Sequence, residues 1–342
     1  MGLFDLRPKT SREELFDREK EFEKLCKAID RGNPLIAVLG IRRIGKTSLL
    51  RTFLNETTGL YIDMRGILKE YELWSRIGDS FSLSINKLKR FIESIRGITV
   101  AGINVEIKWK GRDSVSFIGL LEEINKRKEK FVVVLDEVQS IKPPLSAMLR
   151  NAIAYAYDNL ENIVFIVAGS EIGMLQNFLK LEDPTSPLYG RHTYDIIVER
   201  FTRDLAKEFL LKGFKEEGVE SSVDVVEDAL NFFDGIVGWL VLFGRKYVEG
   251  VRNFDNLKNI AIELAQEELK KLNPREKIVL KAIANGCKSW SEVYSYTADH
   301  YGIILPKSTL SRIIDKLEKL SIIENYRFLD PVYREASLRI ER

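Results

Sequence analysis

Cysteine and histidine are nearly absent from this 342-residue chain: Cys26, Cys287, His192 and His300 are all it has. The cysteines form no C-x-x-C pair, so no zinc site or disulfide framework can be assembled, and a reducing cytoplasm is the expected setting. An excess of one charge is lacking too, since 53 Lys and Arg against 51 Asp and Glu leave a formal net charge of +2. Nucleic-acid binding therefore cannot be argued from the total, and any basic face must be local. The longest apolar stretch, 232–244, is interrupted by Asp234 and too short to span a bilayer. The N-terminus has no apolar signal-peptide core, and Leu6 stands where myristoylation needs Ser or Thr. A soluble cytoplasmic protein without membrane contact is expected. Asn-Lys-x-Asp and LSGGQ are both missing, which favours adenine over guanine and disfavours a transporter subunit.

What is present is an ordinary globular composition, 45% hydrophobic and 30% charged, long enough for two or three domains. The segment "AVLGIRRIGKTSLLRTF" holds Gly40-x-x-x-x-Gly45-Lys46-Thr47, the Walker A pattern for a phosphate-cradling loop. A buried strand is expected over 34–40 and an amphipathic helix over 47–56. Glycines let backbone N–H groups turn toward an anion at the start of the helix. Lys46 is expected to reach the β- and γ-phosphates and Thr47 to ligate Mg²⁺. Gly40, Arg43, Gly45, Lys46, Thr47 and Ser48 form the expected nucleotide-binding loop.

Between 60 and 169 strand and helix patterns alternate, with a β-hairpin expected around Ala101-Gly102 and a polar helical stretch running to about Ile95. Short apolar strands separated by helices imply a parallel sheet covered on both faces, the doubly wound α/β class. "FVVVLDEVQ" ends a buried strand in Asp136-Glu137, at the edge where open α/β sheets bind ligands. Asp136 is the expected Mg²⁺ partner and Glu137 the group that polarises the attacking water; an acidic surface turn is the plainer alternative. The next strand ends in Gly169-Ser170, and Ser170 falls near the γ-phosphate position, unless it only caps a turn. Arg191, in the loop "SPLYGRH", is either a transition-state arginine acting from this chain or a neighbour, or a solvated loop residue.

From about Phe201 strands give way to helices. Asn273, Pro274 and Gly286 then bound a further helix. Two more helices follow, and then a β-like tail, "ENYRFLDPVYREAS", which together give the order of a winged helix-turn-helix. "LFDREKEF", "GIRRIGKTSLL", "VVVLDEVQ", "VAGSEIGML", "SPLYGR", "GWL" and "FLDPVYR" together resemble the archaeal ATPase family, P-loop ATPases of the AAA-like, STAND type. The resemblance implies a five-stranded ATPase core over 1–200, a helical lid over 201–271 and a winged helix over 272–342. It also implies that the N-terminal segment, 1–33, borders the nucleotide through Arg18 and Glu19. One departure is 235–239, Gly-Ile-Val-Gly-Trp, which lacks the proline of a Gly-x-Pro-Gly-Trp lid motif.

The leading expectation is a Mg²⁺-dependent ATPase switch that binds ATP and ADP and moves a winged helix against a DNA or protein client, with oligomerisation allowed. The alternative is a DNA-binding regulator using ATP as a ligand, with Lys307, Ser308, Thr309 and Arg312 at the third helix of the winged domain. Residues 273–342 carry 12 Lys and Arg against 9 Asp and Glu, a mild excess that leaves both open.

Overall fold

The computed structural model describes residues 2–83, 98–101, 104–107 and 116–341. Five parallel strands form the central sheet: β1 (Leu35–Leu39), β2 (Gly59–Asp63), β5 (Phe131–Asp136), β6 (Ile163–Gly169) and β7 (Tyr194–Ile197). They run in the order β2-β5-β6-β1-β7. β1, β5 and β6 are buried along their whole length, as the unbroken apolar runs require of central strands. Alternate residues face opposite cores: Leu35, Ala37, Val133 and Phe165 on one side, Ile36, Val38, Val132 and Val164 on the other. The sheet is the expected doubly wound one. β7, at the edge, buries only Ile196, so its sequence carries little strand signal.

Helix α1 (Glu19–Asp30) buries Phe22, Leu25 and Ala28, and α2 (Lys46–Glu56) follows β1 directly. α3 (Glu70–Leu83) precedes the hairpin of β3 (Ile98–Ala101) and β4 (Asn104–Ile107). The expected hairpin is there, although its turn lies outside the described residues; of the helical stretch expected to run to about Ile95, α3 is the part described and the rest lies outside them. α4 (Phe117–Asn125), α5 (Leu145–Asn159) and α6 (Ile172–Leu179) complete the sheet's cover.

Four helices follow: α7 (Arg203–Glu216), α8 (Val223–Phe233), α9 (Val237–Val248) and α10 (Phe254–Leu269). The apolar run 232–244 belongs to two of them. Asp234 and Gly235, at φ +46° and +71°, turn the chain between α8 and α9. The C-terminal part comprises α11 (Pro274–Ala284), α12 (Trp290–Tyr301) and α13 (Lys307–Lys319). These are followed by strands β8 (Ile323–Glu324) and β9 (Arg327–Phe328), then α14 (Pro331–Arg339). Asn273 and Glu276 close a capping box on α11. The tail expected to be β-like is only half so. A two-residue-per-strand hairpin gives way to α14, because Asp330 caps a helix and Pro331 starts it.

One hydrophobic core runs from Leu3 and Phe4 through Trp239 and Leu257 to Val279, Leu317 and Val332. The residues on either side of position 272 therefore share a core, and the N-terminal segment is tied into it by Phe4. No helix among the described residues is long and apolar enough to cross a membrane.

Candidate active site

Parallel strands deliver their C-terminal ends, and the loops that follow them, to one edge of the sheet. The phosphate loop leaves β1 there. Gly45 takes φ +97° immediately before α2, a conformation that side-chain-bearing residues avoid. A Cβ at Gly40 would stand 2.7 Å from the Val198 carbonyl oxygen. Gly45, the residue before α2, has no side chain to cap it, which leaves the first-turn N–H groups to face an anion. Lys46 is buried, and its Nζ donates to the carbonyls of Gly40 (2.6 Å) and Ile41 (2.9 Å). Burial lowers its pKa to about 8, against the pull of Glu137 and Asp136.

Asp136 is fully buried. Its Oδ2 accepts from the Thr47 hydroxyl at 2.7 Å and the Tyr61 phenol at 2.5 Å, and its Oδ1 accepts from the Glu137 N–H at 3.0 Å. Burial and the Asp136 carboxylate both push the Tyr61 phenol up. Glu137 occupies the left-handed region, φ +54°. Its Oε2 accepts from Gln139 Nε2 (2.5 Å) and Ser170 Oγ (2.9 Å). Lys46, Thr47, Asp136, Glu137 and Ser170 are thus brought together. Lys46, Thr47, Glu137 and Ser170 line a cleft of ≈ 540 Å³ that also takes in Ser48, Phe16, Phe201 and Val241.

The other expected residues are placed differently. Arg18 lines the cleft, but its Nη2 donates to the carbonyls of Ile44 and Glu199, each at 3.0 Å, and its Nη1 to Glu21. It braces the phosphate loop from behind. Ser48 Oγ accepts from the Lys9 N–H at 3.2 Å, joining the loop to the N-terminal strap. Arg191 precedes β7, whose first residue pairs with Ile36 at the start of β1. That is the opposite edge of the sheet, and Arg191 does not line the cleft. Its guanidinium is engaged by Asp158 and the Pro187 carbonyl.

Arg43 faces the lid and winged helix. Its carbonyl accepts from the Gly238 N–H at 2.7 Å, its guanidinium sits 3.9 Å from the Trp239 ring centroid, and Nη2 reaches Glu268 at 2.7 Å. Lid residues Val237 and Gly238 line the cleft, so the lid meets the loop without the motif's proline. Trp239 Nε1 donates to Asp330 at 2.7 Å, and Tyr333 donates to Glu268. Arg42 ties Glu268 to Glu171, one residue past Ser170. Burial raises the Asp330 carboxyl to about 6. Tyr61 and Glu268 carry no sequence signal of their own and are recognisable only once distant segments are folded together, whereas Gln139 lies inside the "FVVVLDEVQ" segment, which gave it no role.

A P-loop core with an acidic strand end, joined to a lid and a winged helix, defines the class: a Walker-type nucleoside triphosphatase. The profile of an ATPase domain predominantly from Archaea matches residues 15–243, and the chain belongs to that archaeal ATPase family. A second profile, the C-terminal winged helix-turn-helix domain of MCM proteins, matches residues 270–335. No curated protein matches the chain. A Walker-type ATPase of Pyrococcus abyssi is similar over 99% of this chain and 100% of its own, at 35% identity and TM-score 0.85. The ORC2 protein of Aeropyrum pernix, solved in ADPNP and ADP complexes, shares the fold at 14% identity and TM-score 0.63, over 98% and 95% of the two chains. Cdc6p of Pyrobaculum aerophilum shares it at 18% identity and TM-score 0.51, over 93% and 90%.

Proposed function

We propose that the chain hydrolyses ATP with Mg²⁺ and uses the nucleotide state of its cleft to set the position of its winged helix. The carrying observation is the continuous path from phosphate loop to winged helix, Arg43 to Trp239 to Asp330 and Arg43 to Glu268 to Tyr333. In this reading the amides of α2 and Lys46 hold the phosphates. Thr47 and Asp136 offer the hard oxygen donors that Mg²⁺ takes. Bound Mg²⁺ would offset charge on the phosphate oxygens. Glu137 orients and deprotonates the attacking water, and Ser170 fixes Glu137 from the neighbouring strand. Arg191, at the far edge, serves a neighbouring copy's nucleotide. Of the parts 1–200, 201–271 and 272–342, the last two share one hydrophobic core and move as one body against the sheet.

A second reading rests on α13, where Lys307, Ser308 and Arg312 are exposed and available to DNA phosphates and bases. The match to the winged helix-turn-helix domain of MCM proteins is what favours a DNA client. Phosphate release from Mg·ATP, measured with and without duplex DNA, tests both. No turnover under either condition, with nucleotide still bound, removes the enzyme reading. Turnover indifferent to DNA, with no salt-sensitive DNA binding, leaves a protein client.

A further inference from the structure

We propose that Gln139 is a positioning residue for Glu137, holding one carboxylate oxygen so that the other is presented to the attacking water. The inference rests on the hydrolytic reading and adds to it a role for Gln139, the last residue of the "FVVVLDEVQ" segment. Glu137 stands on a left-handed turn residue, backed by the buried Val138 and closed by the Ser140 N–H and hydroxyl, which donate to the Glu137 carbonyl at 3.0 and 2.8 Å. Its backbone is therefore fixed, but its side chain extends from a strained position that needs its own restraint. Both side-chain donors that reach the carboxylate, Gln139 Nε2 and Ser170 Oγ, go to Oε2. Among the described residues none donates to Oε1.

The Gln139 amide has one orientation open to it. Only its NH₂ end can face a carboxylate, and this leaves its own Oε1 buried without a hydrogen-bond partner among the described residues. Folded proteins rarely tolerate such an acceptor, and those they keep call for a reason. The restraint on Glu137 supplies one. Room for the amide is made by Gly169 at the end of β6, where an added Cβ would lie 2.3 Å from Gln139 Oε1. Two segments far apart in sequence thus cooperate in aiming one carboxylate. Because both donors converge on the same oxygen, they leave the carboxylate poised and do not cover it.

Gln139→Met keeps the length of the side chain and removes the donor. It is expected to lower kcat at least about tenfold, the scale of a misaimed catalytic group, with KM for Mg·ATP and the ADP-induced shift in melting temperature unchanged. Gly169→Ala should produce the same split from the other side by displacing the amide. Gln139→Glu, which keeps shape and polarity but sets like charges together, should also be slow, and serves if the Met variant folds poorly. Wild-type or faster turnover in a folded Gln139 variant overturns the proposal, as does a loss shared equally by kcat and nucleotide affinity. Glu137→Gln is the control: if it hydrolyses ATP normally, the hydrolytic reading fails, whereas an inactive Glu137→Gln beside a fully active Gln139→Met sinks this inference alone.

Discussion

The two edges of the central sheet are made by the same parallel strands and could hardly differ more in chemistry. At the C-terminal edge Asp136, Ser170 and Lys46 are 0%, 3% and 5% exposed and interlocked by hydrogen bonds from β1, β2, β5 and β6. At the N-terminal edge Arg191 meets Asp158 with side chains 23% and 49% exposed. The edges lie at least ~15 Å apart, at about 3.3 Å per residue over the five residues of β1. A charge at the first edge is removed from water and acts on whatever enters the cleft. A charge at the second is screened and acts only on something brought to it.

The largest break in this contrast is Lys46→Ala. With the ammonium gone, phosphate binding loses its buried cation, and the thermal protection by Mg·ATP should disappear. At ATP concentrations about 100-fold above the wild-type Kd, that is a loss of roughly 2.7 kcal/mol of ligand-dependent stability. A variant still protected like the wild type would show that this edge does not hold the phosphates. Next comes Glu137→Gln, which keeps the shape of the side chain but not its basicity. Turnover should fall by about 100-fold or more while ATP still binds, read as phosphate release beside thermal shift.

The same contrast decides what could be read from sequence. The phosphate loop and the Asp136-Glu137 strand end were legible because each is a contiguous segment whose residue types answer a local backbone demand. The cap at Asn273 was legible for that reason as well, though not the return bond from Glu276. Tyr61 reaches Asp136 only through the pairing of β2 with β5, which no single segment encodes, whereas Gln139 stands two residues from its partner Glu137 and lacked only an assigned role. Phe4 is buried between α7 and α9, close enough to Gly213 and Gly244 that a Cβ at either would strike its ring; an N-terminal phenylalanine gives no hint of so distant a socket. β7 hid because an edge strand with one buried residue has almost no apolar pattern. α14 was masked by aromatic residues that suggested strand, although Asp330-Pro331 marks a helix start. Arg191 was visible as a loop arginine, but its edge of the sheet was not.

A third test concerns a buried carboxylate of the C-terminal part, outside the sheet. Asp330, buried beside Trp239, has its pKa raised from 3.8 to about 6, so the folded chain binds that proton more tightly than the unfolded one. Its contribution is intact below pH ~4 and is lost as the pH climbs through ~6, on the order of 3 kcal/mol in all. Asp330→Asn cannot titrate and should flatten stability between pH 4 and 7 relative to wild type in denaturant titrations. An unchanged slope would show that Asp330 is not kept from water as its burial implies.

The smallest effect on an isolated chain belongs to Arg191→Ala. The ion pair with Asp158 is partly exposed, so its removal should cost under about 1 kcal/mol of stability. Nucleotide affinity should not change, because the guanidinium stands at the edge away from its own cleft. Any larger effect must appear in turnover and must depend on chain concentration, since an arginine that stabilises developing γ-phosphate charge from this edge can only do so in a neighbour. Mixing Arg191→Ala with Lys46→Ala supplies one chain with an intact cleft and another with an intact arginine, and activity should return in the mixture although neither chain has it alone. A turnover defect that persists at every dilution and ignores the added chain would place the arginine's influence within its own subunit. Wild-type turnover at every concentration would leave Arg191 as a solvated partner of Asp158 and confine the chemistry to the buried edge.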